Sequence, residues 1–284
     1  MTIKEAKGYF RDALSEIYPD EEIGALQRIV FEELFEISSA ELTLMNDNNI
    51  VPGKELELKR IINQLKEETP IQYIFGRTEF YDLELTVNKN VLIPRPETEE
   101  LVDWIIRENN TGAGLSILDI GTGSGCIILS VAKKMLNANC FATDVSGTAL
   151  SVAKRNAEKN NLEVSFSIHD ILKAEENPFQ YKYDIIVSNP PYVLESEKTQ
   201  MQKNVLGYEP GLALFVKDDD ALIYYSAIAG KAKEWLKPGG RLYFEINEQK
   251  GEDVYGLLAS LGYKDVAVRK DLGSKDRMVR GVMH

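Results

Sequence analysis

Apolar residues in the first 75 positions recur at helical spacing. Ile3, Ala6, Phe10, Leu14 and Ile17 share one stripe, and Ile23, Leu26, Val30 and Leu34 form a second, the pattern of amphipathic helices. Ser38-Ser39-Ala40-Glu41 has the Ser-x-x-Glu form of a capping box, and Pro52 suits the first turn of a helix carrying Leu58, Ile61, Ile62 and Leu65. These stripes predict a small helical bundle over residues 1–75, with its apolar positions used for packing. The period then changes. Leu83, Leu85 and Val87 alternate with polar residues in the run 80–87, Asn88-Lys89-Asn90 follows, and Val91-Leu92-Ile93 is apolar again. That is a β-hairpin signal, placing a linking hairpin at residues 76–95. Pro94-Arg95-Pro96-Glu97-Thr98-Glu99 ends the strand and opens a helix through Leu101, Val102, Trp104 and Ile105.

From residue 115 short apolar runs alternate with helical patterns. Strands are expected at 117–120, 140–143, 164–168 and 183–187, with helices near 124–136 and 147–160 between them. A helix near 220–236 stops before Pro238-Gly239-Gly240, a strand follows at 242–246, and two more lie between 264 and 283. Seven strands with intervening helices describe an α/β module over residues 96–284, built on a mostly parallel sheet with helices on both faces.

Composition narrows the function classes. With 33 basic and 45 acidic residues the formal charge is −12, against a protein that grips nucleic acid by broad phosphate neutralisation. The two cysteines, Cys126 and Cys140, are too few for a disulfide framework and read as small core residues. Two histidines, His169 and the terminal His284, supply neither a metal site nor a triad. No secretory h-region or membrane-length apolar run appears, so a soluble cytoplasmic protein is expected.

Chemistry concentrates at strand ends. Asp119-Ile120-Gly121-Thr122-Gly123-Ser124-Gly125 joins the first sheet strand to its helix, a nucleotide-type cradle at a helix N-terminus. It departs from the dinucleotide fingerprint, because the third glycine is Gly125 and position 126 is cysteine. Asp144, 23 residues after Gly121, ends the second strand where a carboxylate accepts from both hydroxyls of a ribose. Asp170 closes the third strand, placed to meet an adenine amino group, and the set points to an adenosine-bearing cofactor. After the fourth strand stands Asn189-Pro190-Pro191-Tyr192. Two prolines fix φ and remove two donors, leaving carbonyls free to accept, and the Asn189 amide adds an acceptor and two donors. Together they form a clamp for a planar NH₂ group, with Tyr192 to cover its face. If the sheet is doubly wound, the loops after the first and fourth strands flank one crevice.

These residues resemble the S-adenosylmethionine-dependent methyltransferases, and most closely the PrmC/HemK family of peptide chain release factor glutamine methyltransferases. The resemblance covers nearly the full length. It includes Gln72-Tyr73-Ile74-Phe75-Gly76, Val91 to Glu99, Asp119 to Gly125, Asn189 to Tyr192, Tyr208-Glu209-Pro210 with Ala213-Leu214, and Asp271-Leu272 with Arg277. It implies a Rossmann-like class I methyltransferase fold preceded by a helical substrate-binding domain. It also implies methylation of the side-chain amide nitrogen of the glutamine in a release factor's Gly-Gly-Gln motif. By the same resemblance Gly121, Thr122, Gly123, Ser124 and Gly125 hold the methionine part of the cofactor, Asp144 its ribose, and Asp170 with Ile171 its adenine. Asn189 and Pro190 hold the substrate amide, with Pro191 and Tyr192 beside it and Asn189 also next to the cofactor. Ile171 stands where some relatives place tryptophan, and residues 215–220 replace a glycine-rich turn with what reads as a solvated loop. Asn-Pro-Pro-Tyr is shared with nucleic-acid amino methyltransferases, so a DNA or RNA adenine methyltransferase is the alternative enzyme. A non-catalytic cofactor-binding partner of translation factors is the alternative outside catalysis.

Overall fold

The structure, a computed structural model, describes residues 1–109, 112, 114–173, 176–201 and 203–284. The chain clusters into two compact units, one of Met1–Phe75 with Lys203–Tyr208 and one of Gly76–Gln202 with Glu209–His284. The hairpin read as a linker therefore belongs to the larger unit, and a short segment from within the sheet module belongs to the smaller.

Helices α1 (Ile3–Leu14), α2 (Asp20–Phe35), α3 (Ser39–Leu44), α4 (Pro52–Lys66) and α5 (Ile71–Phe75) follow one another first. Two of them start in capping boxes: Thr2 with Glu5 begins α1, and Ser38 with Glu41 begins α3 as the sequence indicates. Pro52 occupies the first turn of α4, where a missing N–H leaves no helical bond unmade. The expected stripes meet in one apolar cluster that includes Phe10, Leu14, Val30, Phe31, Leu58 and Ile62. Ile17 lies past the end of α1 and stays exposed.

Strands β1 (Arg77–Phe80) and β2 (Leu83–Thr86) come next, then α6 (Pro96–Asn109), β3 (Ser116–Ile120), α7 (Cys126–Lys134), β4 (Asn139–Asp144), α8 (Gly147–Lys159), β5 (Ser165–Ile168), β6 (Tyr183–Ser188) and β7 (Val193–Leu194). Helix α9 (Lys203–Tyr208) rejoins the smaller unit, where the Tyr208 hydroxyl donates to the Glu67 carbonyl at 2.7 Å. β8 (Phe215–Val216), α10 (Ile223–Trp235), β9 (Leu236–Glu245), α11 (Gly251–Ser260), β10 (Lys264–Lys270) and β11 (Asp276–Val282) complete the chain.

Three local expectations are corrected. The hairpin turns at Tyr81-Asp82, both at positive φ (44° and 63°), and pairs β1 with β2; residues 91–93 form no strand. Phe215 and Val216 are not solvated loop but pair as β8 with β7. β9 begins at Leu236, so Pro238-Gly239-Gly240 lies inside it rather than ahead of it.

Among the described residues seven strands form one sheet in the order β10-β11-β9-β6-β3-β4-β5. β3, β4, β5, β6 and β9 run parallel, and β11 lies antiparallel to both of its neighbours, β9 and β10. Alternation along each strand divides the core between the two faces. Ile117, Ile185, Val187 and Tyr243 face α6 and α7 through Leu101, Ile105, Ile128 and Leu129. Leu118, Ile186, Leu242 and Phe244 pack with Tyr225 and Ile228 of α10 and with Val254 and Leu258 of α11. Parallel strands covered on both faces explain why β3 and β6 read as nearly continuous apolar runs.

Candidate active site

Strand order reverses between β3 and β6, which are neighbours with Asp119 opposite Val187. That topological switch point opens a crevice at the carboxyl ends of the strands. The Ser188 hydroxyl donates to the Ile120 carbonyl at 2.6 Å and ties the two strand ends together there.

The loop from β3 to α7 winds through three left-handed glycines, at φ +76° for Gly121, +56° for Gly123 and +83° for Gly125. Its amides turn inward. Gly121 and Thr122 donate to the Thr143 carbonyl, and Gly123 donates to Asp144 Oδ2 at 2.9 Å. These donors fix the loop against β4, so Gly121 and Gly123 offer a ligand close approach of backbone rather than free N–H groups. A Cβ on either would enter open space, whereas on Gly125 it would meet Leu129 Cδ1 at 3.1 Å and Ala153 Cβ at 3.3 Å. The first two glycines thus shape a cradle and the third packs helix against helix. Asn156 of α8, fully buried, holds the arrangement by donating to the Ser124 carbonyl while exchanging bonds with the backbone of Thr86. The sequence signal for it was a polar residue on the apolar face of a helix.

Two carboxylates flank the cradle. Asp119 is 1% exposed; Oδ2 accepts from the Thr122 hydroxyl at 2.6 Å and Oδ1 has no partner. Desolvation outweighs that one bond and, with Asp144 nearby, pushes the carboxyl up to about 7. Asp144 accepts from Gly123 and from the Ser146 amide at 2.8 Å, and burial raises its pKa against those bonds. Each of its oxygens keeps a lone pair for a further donor.

Asp170 lies two residues beyond β5 and pairs with Lys173 at 2.9 Å, a bond that lowers its pKa. Ile171 is 7% exposed and lies in the apolar cluster with Ile120 and Phe141, so most of its surface already faces protein. The Cys140 side chain sits in the core, and burial pushes the Cys126 and Cys140 thiols up to about 12, leaving both protonated.

On the other side of the crevice, Asn189 follows β6 and is half-buried, and its side-chain amide makes no hydrogen bond among the described residues. Pro190 is buried, and Tyr192 packs against the cluster containing Tyr225 and Phe244. The Tyr192 hydroxyl points to Glu245 Oε1 at 3.4 Å, and the Thr98 hydroxyl donates to Glu245 Oε2 at 2.7 Å. Glu245, the last residue of β9, is therefore in contact with the clamp. Glu209 accepts from Arg95 Nη2 at 2.6 Å and from the Ile93 amide at 3.3 Å, joining the Tyr-Glu-Pro and Pro-Arg-Pro-Glu segments.

A side-chain amide without a hydrogen bond among the described residues thus stands at the switch point opposite a glycine loop flanked by two acidic groups. The methyltransferase small domain family model matches residues 101–207. A release factor glutamine methyltransferase of Flavobacterium psychrophilum is 44% identical over 283 residues, covering 99% of each chain. One of Bacteroides thetaiotaomicron is 45% identical over 271 residues, covering 95% of this chain and 96% of the relative. Among solved structures, the Thermus thermophilus 16S rRNA N2 G1207 methyltransferase in complex with AdoMet and guanosine superposes with a TM-score of 0.52 at 16% identity. It covers 73% of this chain and 50% of that one, a likeness of fold alone.

Proposed function

The chain belongs to the release factor glutamine methyltransferase family, and from that premise we propose that it methylates the side-chain amide nitrogen of the glutamine in the Gly-Gly-Gln loop of a peptide chain release factor, with S-adenosylmethionine as methyl donor. The unpartnered Asn189 amide at the switch point carries this reading.

The cradle fits the donor. Open space over Gly121 and Gly123 admits its methionine part, and the orphaned oxygen of buried Asp119 favours a positively charged ligand. Spare acceptor capacity on Asp144 suits ribose hydroxyls. Asp170 remains available to an amino group beside it, while Ile171 offers a small apolar contact. When bound, S-adenosylmethionine supplies a methyl carbon on a sulfonium leaving group.

The chain's residues do the rest by placement. An amide nitrogen is a weak nucleophile because its lone pair is shared with the carbonyl, so orientation dominates the rate. Asn189 Oδ1 and the Pro190 carbonyl accept the two NH₂ hydrogens in the amide plane and raise electron density on nitrogen. Pro191 stiffens the turn and Tyr192 walls it. Full-length identity to relatives named for a protein amide favours glutamine over a nucleobase as acceptor. A release factor as acceptor supports a cytoplasmic location, and among the described residues no helix is long and apolar enough to cross a membrane.

The test is methyl transfer from labelled S-adenosylmethionine to a purified release factor, with mass spectrometry to locate the added group. Asn189→Ala should lower kcat by at least about 100-fold while calorimetry still detects cofactor binding. Unchanged turnover in that variant, or a methyl group elsewhere than on the glutamine, defeats the reading.

A further inference from the structure

Two segments singled out in the sequence but given no chemical role, those of Thr98 and Arg277, meet the Asn189–Tyr192 turn at one carboxylate. Glu245 ends β9, the strand beside β6, with Phe244 opposite Ser188. It is 1% exposed. Its Oε2 is anchored by Thr98 from the first turn of α6, itself 2% exposed, and its Oε1 faces the Tyr192 hydroxyl. Behind it stands Arg277 of β11, which binds Asp271 at 3.2 Å and whose charge favours the ionised form of Glu245.

An apolar side chain would fill this space without desolvating a charge, so packing alone is a poor reason for a carboxylate here. We infer that Glu245 is a positioning residue: from beneath the Asn189–Tyr192 turn its carboxylate, anchored by Thr98, holds the Tyr192 hydroxyl and so fixes the turn that presents Asn189 and the Pro190 carbonyl. The inference rests on the proposed methyl transfer and specifies what orders its amide clamp. The 3.4 Å separation is longer than the usual O–H···O distance of about 2.7–2.8 Å. Contacts of this kind commonly tighten when a substrate is seated.

An ionised carboxylate accepts from both hydroxyls, whereas a proton on either oxygen competes with one of them. Burial pushes Glu245 up to about 7, with Glu97 acting in the same direction and the Thr98 bond and Arg277 opposing it. The other groups facing it are Tyr192, Tyr225 of α10, whose hydroxyl donates to the Glu245 carbonyl, and Cys126 of α7. Burial raises all three well clear of neutral pH. The clamp is therefore ordered above neutrality and loosened below it.

The experiment measures kcat at saturating S-adenosylmethionine, which removes the contribution of Asp119 to cofactor binding, from about pH 5.5 to 8.5 with a release factor as acceptor. Wild type should show kcat rising through roughly pH 7. Glu245→Gln should lower kcat about 10- to 100-fold, abolish that rise, and keep the cofactor Kd within about twofold. Tyr192→Phe, which retains the ring, should flatten the same limb, and the double variant should be no worse than the poorer single, since both act through one contact. Multiplying losses, or a Glu245→Gln enzyme with the wild-type limb and kcat, overturns the inference. Should Glu245→Gln fail to fold, Tyr192→Phe decides: a retained pH limb overturns the inference and a lost one upholds it. An inactive wild type overturns the proposed activity and this inference with it; an active wild type with an unaltered Tyr192→Phe limb overturns this inference alone.

Discussion

Asp119 shows how a single buried group couples stability to ligand binding. Its carboxyl is held at about 7 against a usual 3.8, so between these values the folded chain keeps a proton that the unfolded chain has released. Stability must then fall as pH rises through about 4 to 7, by as much as ~4 kcal/mol if no relaxation intervenes, and level off above. Glu245, raised in the same direction, adds to the slope. Thermal unfolding of the ligand-free protein should accordingly give a lower Tm at pH 7.5 than at pH 5.5; a rising Tm would remove Asp119 and Glu245 as the dominant buried acids. A cationic ligand reverses the preference by favouring ionised Asp119. S-adenosylmethionine affinity should increase between pH 6 and 8, with proton release seen as a buffer-dependent calorimetric enthalpy near pH 6.5. The glycines separate by the same residue-level logic. Ala at Gly123 costs about 1–2 kcal/mol of backbone strain and puts a methyl into the cradle, so cofactor affinity should suffer most. Ala at Gly125 adds the close contacts with Leu129 and Ala153, so stability should suffer most. Paired denaturation and cofactor titrations on the two variants would distinguish these outcomes.

Between elements, the segment after β6 is held by long-range polar contacts. The Glu209 side chain is 1% exposed and Arg95 is 35% exposed. Arg95→Ala would leave the buried carboxylate with the Ile93 amide alone. The cost should be ~2 kcal/mol, below that of breaking a fully buried pair because water already reaches Arg95. Urea denaturation would measure it, and hydrogen exchange should quicken in residues 209–222; an unaffected exchange rate there would show the pair to be ornamental. This contact also marks the limit of what was legible beforehand. The sheet was readable because strands buried on both faces, such as Ile117 to Ile120 and Tyr183 to Val187, are apolar apart from one aspartate each, Asp119 and Asp184. The glycine loop and the Asn189 turn were readable because both sit at ends of such runs. The hairpin was read one strand too late because Tyr81 and Asp82 take positive φ without the glycine that usually signals a type I′ turn. Partners separated by 114 residues, as Arg95 and Glu209, or by 147, as Thr98 and Glu245, leave no trace in local periodicity. Nothing in their neighbouring sequence therefore sets either acid apart.

For the whole molecule, the consequential feature is that the smaller unit is discontinuous in sequence. The chain leaves it after Phe75, returns for Lys203–Tyr208 and leaves again at Glu209. Six residues are too few to hold an isolated helix in water, so α9 depends on its partners there, among them Glu67 through Tyr208 and Glu68 through Lys203 at 3.9 Å. The fragment 76–284 retains the complete sheet, both faces of its core and every residue of the cradle. It should fold and bind S-adenosylmethionine within about twofold of the full chain, because no cradle residue lies in the smaller unit. Residues 203–208 should exchange their amides at unprotected rates in that fragment. If the helical unit holds part of the release factor, its removal takes away one of two attachment points. KM for the release factor should then rise on the order of 100-fold, with a smaller change in kcat. Calorimetry, hydrogen exchange and methyl-transfer kinetics on the same preparation would report each quantity separately. Loss of cofactor binding would mean that the sheet unit does not stand alone, and an unchanged KM would mean that the helices serve α9 and stability rather than the substrate.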